Sequence, residues 1–298
     1  MGPDFIIVYR LSMLDLVDEG STWEEIVLLA KEIESAGASI INTGIGWHEA
    51  QIPTIATMVP RGAFSRVTKR MKGEVSIPLC TTNRINTPEV GEFILQEGSA
   101  DMISMARPLL ADSHFVNKAL EGKSDEINTC IGCNQACLDH IFEYKRCSCL
   151  VNPVACHEDN LEILPISTQP LKVAVIGSGP GGLACATTCA ERGHKVVLFE
   201  KEGEIGGQFN LAKRIPGKEE FYETIRYFRK KIENTGVDLR TNTMVDVEML
   251  REGGFDAVVF ATGVNPRSVP LSDLGDERVV MYNEVLNGSV VAGRGLLS

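Results

Sequence analysis

The sequence predicts an α/β chain: half of a (β/α)8 TIM barrel, a cysteine-rich ligand segment, and part of a Rossmann-like dinucleotide-binding domain. Three observations carry this. A short apolar strand, a polar loop and an amphipathic helix recur four times before about residue 122. Cys130, Cys133, Cys137 and Cys149 follow, in C-x2-C-x3-C-x11-C spacing. An apolar strand then opens into Gly177-Ser178-Gly179-Pro180-Gly181-Gly182. The predicted boundaries are 1–122 for the half barrel, 123–170 for the cysteine segment and linker, and 171–298 for the dinucleotide-binding part.

The four strands of the first segment read Phe5–Leu11, Ile40–Gly44, Ile77–Arg84 and Met102–Arg107. Near-continuous apolar strands followed by helices imply a parallel sheet with a covered outer face. Ser21-Thr22-Trp23-Glu24 is a capping-box pattern leading into Ile26, Leu29, Ala30 and Ile33, which predicts the first helix. Four such units fit a small open sheet or half of a barrel. The polar residues Arg10, Asn42, His48, Asn83, Arg84 and Arg107 gather at strand C-termini, where barrel active sites are built, and this favours the barrel. For any one arginine the plain alternative is a surface ion pair.

A chain of 298 residues, 44% hydrophobic, is long enough for about two ordinary domains. Its net charge of −11 argues against a nucleic-acid footprint and against a polybasic membrane anchor. No apolar run reaches the roughly 18 residues of a membrane span, and Met1-Gly2-Pro3-Asp4 does not begin a leader, so a cytoplasmic location is expected. Nine cysteines in such a chain favour metal ligation or redox work over a disulfide framework.

Three closely spaced cysteines and a distant fourth suit an iron–sulfur cluster. A structural zinc site is the alternative, although zinc ribbons usually present two separated C-x2-C knuckles. Cys147 lies two residues before Cys149 and stands in reserve as the fourth ligand, whereas Cys156 is a bystander. Cys80, Cys185 and Cys189 fall in a strand and a helix, where thiols act as small hydrophobes.

In the last segment the strand Lys172–Ile176 precedes the glycine turn, a helix over Gly182–Arg192 follows, and the next strand, Lys195–Phe199, ends on Glu200. An acid about 20 residues after the turn completes a dinucleotide fingerprint. Gly177 serves the tight turn, Gly179 the approach of a pyrophosphate to helix N–H groups, Gly182 the packing of helix on strand, and Glu200 the ribose hydroxyls. That pattern leaves FAD and NAD open.

The stretches Tyr9–Ser12, Gly44–Thr54, Thr81–Ile85 and Ser104–Pro108 resemble the FMN barrel of bacterial 2,4-dienoyl-CoA reductases, relatives of the old yellow enzymes and trimethylamine dehydrogenase. The resemblance makes the first segment the C-terminal half of the barrel. It implies that Arg10 faces the flavin ring and that Arg84 with the Ala106-Arg107 pair holds the FMN phosphate. His48 would act as proton donor, and His48, Glu49, Ala50 and Gln51 would line an acyl-CoA pocket. Leu150-Val151-Asn152-Pro153 matches the family's pattern after its last cluster ligand, which selects Cys149 over Cys147 for a 4Fe-4S centre. Gly206-Gly207-Gln208-Phe209 and Asp256–Gly263 resemble FAD-binding motifs, with Gln208, Lys218 and Val245 approaching the FAD beside Gly181 of the glycine turn.

The implied activity is reduction of 2,4-dienoyl-CoA in unsaturated fatty acid β-oxidation, electrons passing from NADPH to FAD, to the cluster, to FMN and to the substrate. Rival readings are another enoate reductase, an amine dehydrogenase, or an electron-transfer scaffold. An amine site calls for an aromatic cage, for which Trp47 is the single candidate in its loop. By this resemblance the first four barrel strands and the NADPH domain have no counterpart in the chain, so truncation at both ends and little activity in isolation are expected.

Overall fold

The computed structural model describes residues 2, 4–47, 49–161, 166–267 and 280–291. The chain divides into two units, Met1–Leu161 and Glu162–Ser298, so the cysteine segment belongs to the first. Among the described residues no helix is long and apolar enough to cross a membrane.

The first unit runs β1 (Val8–Leu14), α1 (Trp23–Ser35), β2 (Ile40–Ile45), α2 (Ser65–Met71), β3 (Leu79–Thr81), α3 (Pro88–Gln96), β4 (Met102–Ile103), α4 (Arg107–Ala111), α5 (Phe115–Leu120) and α6 (Leu138–Phe142). The strands are parallel and lie in chain order, β1-β2-β3-β4, as consecutive barrel strands do. Arg10 is in register with Asn42, and Asn42 with Cys80. Ile26, Ala30 and Ile33 recur at helical spacing along α1 and pack with Leu11, Met13, Ile41, Met71 and Leu79. Thr43, Thr68 and Thr81, all fully buried, satisfy one another: Thr68 hydrogen-bonds Thr43 at 2.8 Å and donates to Thr81 at 2.9 Å.

Several elements differ from expectation. The first strand begins three residues later than the apolar run: Phe5–Ile7 are exposed, the Ile7 carbonyl accepts from the Ser39 and Ile40 amides, and the Ile7 amide turns to the Ser39 hydroxyl instead of a backbone carbonyl. The capping box is Thr22 with Glu25, one residue on from the pattern read from Ser21 and Glu24. The third and fourth strands are short: Asn83 and Arg84 leave the sheet in left-handed backbone, and Arg107 already starts α4.

The second unit runs β5 (Lys172–Ile176), α7 (Pro180–Glu191), β6 (Lys195–Phe199), α8 (Phe209–Ala212), α9 (Phe221–Thr235), β7 (Asp238–Arg240), α10 (Val247–Glu252), β8 (Ala257–Phe260) and α11 (Tyr282–Asn287). Its parallel sheet has the order β7-β6-β5-β8, with neighbours to either side of the first strand as in a doubly wound fold. Alternate residues of β5 and β6 point to opposite faces. Val173, Val175, Val196 and Leu198 meet α7 and α9, whereas Ala174, Val197 and Phe199 meet Val245, Met249, Leu250 and Phe255.

Candidate functional site: a thiol-lined cavity and a glycine turn

In the first unit Cys130, Cys133, Cys137 and Cys149 line one cavity of about 320 Å³, open to solvent, together with Arg107, Leu110, Asn134 and Val151. Left-handed backbone at Gly132 (φ 65°) and Asn134 (φ 61°) curls the chain so that three closely spaced thiols face inward. The loop is fastened to the strand-end side of the unit. Thr57 Oγ1 donates to the Gly132 carbonyl at 3.0 Å, Asn86 Nδ2 to the Cys130 carbonyl at 2.8 Å, and Arg107 Nη1 to the Ile55 carbonyl at 2.9 Å and to Asn134 Oδ1. The returning segment is tied by Asn128 Nδ2 to the Val151 carbonyl (2.7 Å) and by Asn152 Nδ2 to the Leu110 carbonyl (2.9 Å).

Backbone amides of Gly132, Gln135 and the Val151-Asn152 pair donate to the sulfurs of Cys130, Cys133 and Cys149. Burial pushes all three thiols up, Cys149 to about 11, against these donors. Arg107 and Arg84 pull Cys130 the other way, so both guanidinium charges are felt in the cavity. Such a site stays protonated when empty and favours a ligand that replaces the protons with positive charge. Among the described residues no three His, Cys, Asp or Glu side chains gather closely enough for a single metal ion. The thiols stand around shared space instead.

Of the residues the resemblance links to FMN, Arg84 is buried, and its Nε donates to the Val59 carbonyl at 2.8 Å. Its backbone (φ 57°) and that of Asn83 (φ 72°) are both left-handed, a costly pair that the surrounding contacts must hold. Arg10 is exposed on β1, opposite Asn42, whose Oδ1 is buried with no hydrogen-bond partner. Both lie within their strands rather than at the expected C-terminal ends, and an orphaned buried acceptor beside an exposed cation fits a polar ligand. Ala106, exposed, caps α4. His48 lies outside the described residues. Glu49 and Gln51 are exposed and Ala50 is half-buried in the same loop.

Sequence reasoning missed the residues that hold these loops. Asp15, buried at the end of β1, accepts from the Ser21 amide at 2.9 Å, from Ser12 and from the Trp47 indole, and so fixes the loop ahead of His48. Burial alone would raise its carboxyl, but these donors hold it below the ordinary value. Asp112, also buried, accepts from the Asn128 amide (2.9 Å), the His114 amide (3.0 Å) and Lys118 Nζ (2.6 Å) just before the first ligand cysteine. Their one sequence signal is an acid placed directly after an apolar element.

In the second unit the glycine turn has the shape a pyrophosphate needs. Gly177 sits at φ 100° beneath the Ala261 carbonyl, and a Cβ on Gly182 would overlap the Gly177 carbonyl. No atom crowds Gly179 or Gly181, while a Cβ on Gly207 would come within 3.1 Å of the Gly179 Cα. The α7 N-terminus therefore stays open as a cradle. Glu200 Oε2 accepts from the Ser178 amide (2.9 Å) and hydroxyl (2.7 Å), and Oε1 accepts from the Glu202 amide (2.9 Å). Three of about four lone-pair sites are thus filled, leaving room for one ribose hydroxyl rather than two. Gln208 Nε2 donates to the Val264 carbonyl, Lys218 lies 5.5 Å over the Phe221 ring, and Val245 packs on the Val197 face of the sheet.

Comparison with known proteins finds relatives for both units. Residues 1–126 match the NADH:flavin oxidoreductase / NADH oxidase family, and residues 171–288 match the pyridine nucleotide-disulphide oxidoreductases. The whole chain is 40% identical to 45% of a metal reductase from Desulforamulus reducens. Over 97% of its length it is 34% identical to 45% of an NADH oxidase from Thermoanaerobacter brockii. A solved complex of 2-naphthoyl-CoA reductase with 2-naphthoyl-CoA superposes on 98% of the chain with a TM-score of 0.94 at 32% identity, over 45% of its own length. The chain thus spans about half the length of these relatives. These matches support placing the chain with the NAD(P)H:flavin oxidoreductases similar to old yellow enzyme and trimethylamine dehydrogenase, in which a flavin oxidoreductase segment is joined to a pyridine nucleotide-disulphide oxidoreductase segment.

Proposed function

We propose that the chain belongs to an NADPH-dependent reductase of conjugated acyl-CoA thioesters, with 2,4-dienoyl-CoA as substrate and enoyl-CoA as product. The observation that carries this reading is the cavity of four thiols, with amide donors to three sulfurs and two guanidinium charges felt within it. A cluster bound by four thiolates is net negative, and amides and cations stabilise that charge. Zinc would call for thiols drawn to a single point. When bound, the 4Fe-4S centre, FMN and FAD supply hydride and one-electron chemistry between NADPH and substrate.

The chain's own residues bind and orient. Gly177, Gly179 and Gly182 give the FAD pyrophosphate open amides at α7, and Glu200 takes a ribose hydroxyl with its remaining lone pair. Arg10 and Asn42 meet the FMN ring, with Arg84, Ala106 and Arg107 at its phosphate end. His48 supplies the proton to the substrate carbon, and Asp15 sets the loop that carries it through Trp47.

The likeness to the 2-naphthoyl-CoA reductase complex favours a thioester over a free enoate or an amine. Stopped-flow mixing of the reduced protein, expressed from its whole gene, with 2,4-dienoyl-CoA, a cinnamate-type enoate and a methylated amine tests this. Flavin reoxidation by the thioester alone is expected. Reoxidation by the enoate alone, or flavin reduction of the oxidised protein by the amine, would replace the proposed substrate.

A further inference from the structure

We propose that Lys213 and Asn210 are positioning residues for a bound dinucleotide: acting through the Gly206-Gly207 turn, they hold the second wall of the cradle at Gly179. The proposal rests on the reading of the glycine turn as an FAD site. Two observations make Gly206-Gly207 part of that cradle. A Cβ on Gly207 would come within 3.1 Å of the Gly179 Cα, and the Gly206 amide donates to the Ser178 carbonyl at 2.8 Å. A displaced Gly206-Gly207 turn would therefore open or obstruct the space in front of α7.

Asn210 fixes that turn from behind. A Cβ on Gly206 would lie 2.8 Å from Asn210 Oδ1, so the side-chain amide packs directly on the glycine. At its other end Asn210 Nδ2 donates to the carbonyl of the buried Ile205 at 2.9 Å. Lys213 Nζ donates to Oδ1 at 2.7 Å. An ammonium has no acceptor, so the amide oxygen must face the lysine and the amide nitrogen must face Ile205. The lysine thus decides which way Asn210 points.

Stability alone gives a poor reason for this lysine. Its side chain is 8% exposed, and its carboxylate contact, Glu204 at 3.8 Å, is half-exposed and shared with Arg229 at the same distance. The Tyr222 ring lies 5.0 Å from the ammonium. A buried ammonium with so distant a counter-charge is costly, and an apolar side chain of similar length would fill the space without that cost. What the charge adds is the orientation of Asn210 and, through it, the position of Gly206-Gly207.

The test uses the protein expressed from its whole gene. FMN content is measured on the protein as isolated, and the flavin-stripped protein is titrated with FAD. Lys213→Met is expected to raise the FAD dissociation constant about tenfold or more, with FMN content unchanged. Asn210→Asp keeps a partner for the lysine but puts an oxygen where the donor to Ile205 stood, and is expected to weaken FAD as well. Arg229→Met removes a cation from the same carboxylate without touching Asn210, and is expected to leave FAD binding as it was. An unchanged FAD constant in Lys213→Met or Asn210→Asp would overturn the proposal. So would an equal effect of Arg229→Met, which would show a general response to charge, or joint loss of FMN and FAD in both Lys213→Met and Asn210→Asp, which would show a role in folding only. An unaltered protein that takes up no FAD would overturn the FAD reading itself, and the proposal with it.

Discussion

At the scale of single residues, buried carboxylates set the geometry of both sites. Asp112 joins the end of α4 to the entry of the cysteine loop through two amides and Lys118. Asp112→Asn removes the charge and one acceptor, leaving the Asn128 amide unmatched and Lys118 Nζ with the Glu126 carbonyl but no carboxylate, at a site where the acid is nearly inaccessible. The expected cost is about 2 kcal/mol, read as a lower urea midpoint; a loss under about 0.5 kcal/mol, the range of ordinary surface changes, would contradict the anchoring role. Burial alone would raise the Glu200 carboxyl, but the Glu202 and Ser178 donors hold it below its ordinary value. A lowered carboxyl contributes stability above its unfolded value and loses it as pH falls through the folded value. Glu200→Gln is therefore expected to flatten the acid side of the stability profile; an unchanged acid limb would show that the three donors do not bind the charged form.

At the scale of elements, the turn from β5 into α7 was legible in the sequence because its glycines have distinct geometric duties. Gly182 touches the Gly177 carbonyl, whereas the space around Gly181 is open. Gly182→Ala is expected to cost about 3 kcal/mol by overpacking. Gly181→Ala, inside α7 at ordinary backbone angles, is expected to be neutral or to stabilise by roughly 0.5 kcal/mol. Thermal melts of the two variants check the pair, and equal effects would contradict the close helix–strand approach. The short strands β3 and β4 were not legible, since no break in the sequence marks where each leaves the sheet, and their ends are decided by left-handed turns at Asn83 and Arg84 and by the early start of α4. The helix expected after Met102–Arg107 is two helices, α4 and α5, parted at Asp112, whose side chain turns to the cysteine loop instead.

At the scale of the whole molecule, composition and spacing were enough for two α/β units and a thiol cluster, because apolar periodicity and cysteine intervals are local signals. Which long-range partners hold the cluster was not readable: Thr57 and Asn86 lie far from the thiols in sequence and look like ordinary loop residues until the fold brings them together. The two arginines expected at a phosphate are felt at Cys130, which ties the segments after β3 and β4 to the thiol cavity within one unit. Cys149→Ser is expected to lower bound iron and bleach the broad visible absorbance, whereas Cys80→Ser, in the sheet, is expected to leave both intact. The most direct measurement is metal and sulfide analysis of the anaerobically purified chain. About four irons and four acid-labile sulfides per chain are expected, and one zinc without broad visible absorbance would contradict the account.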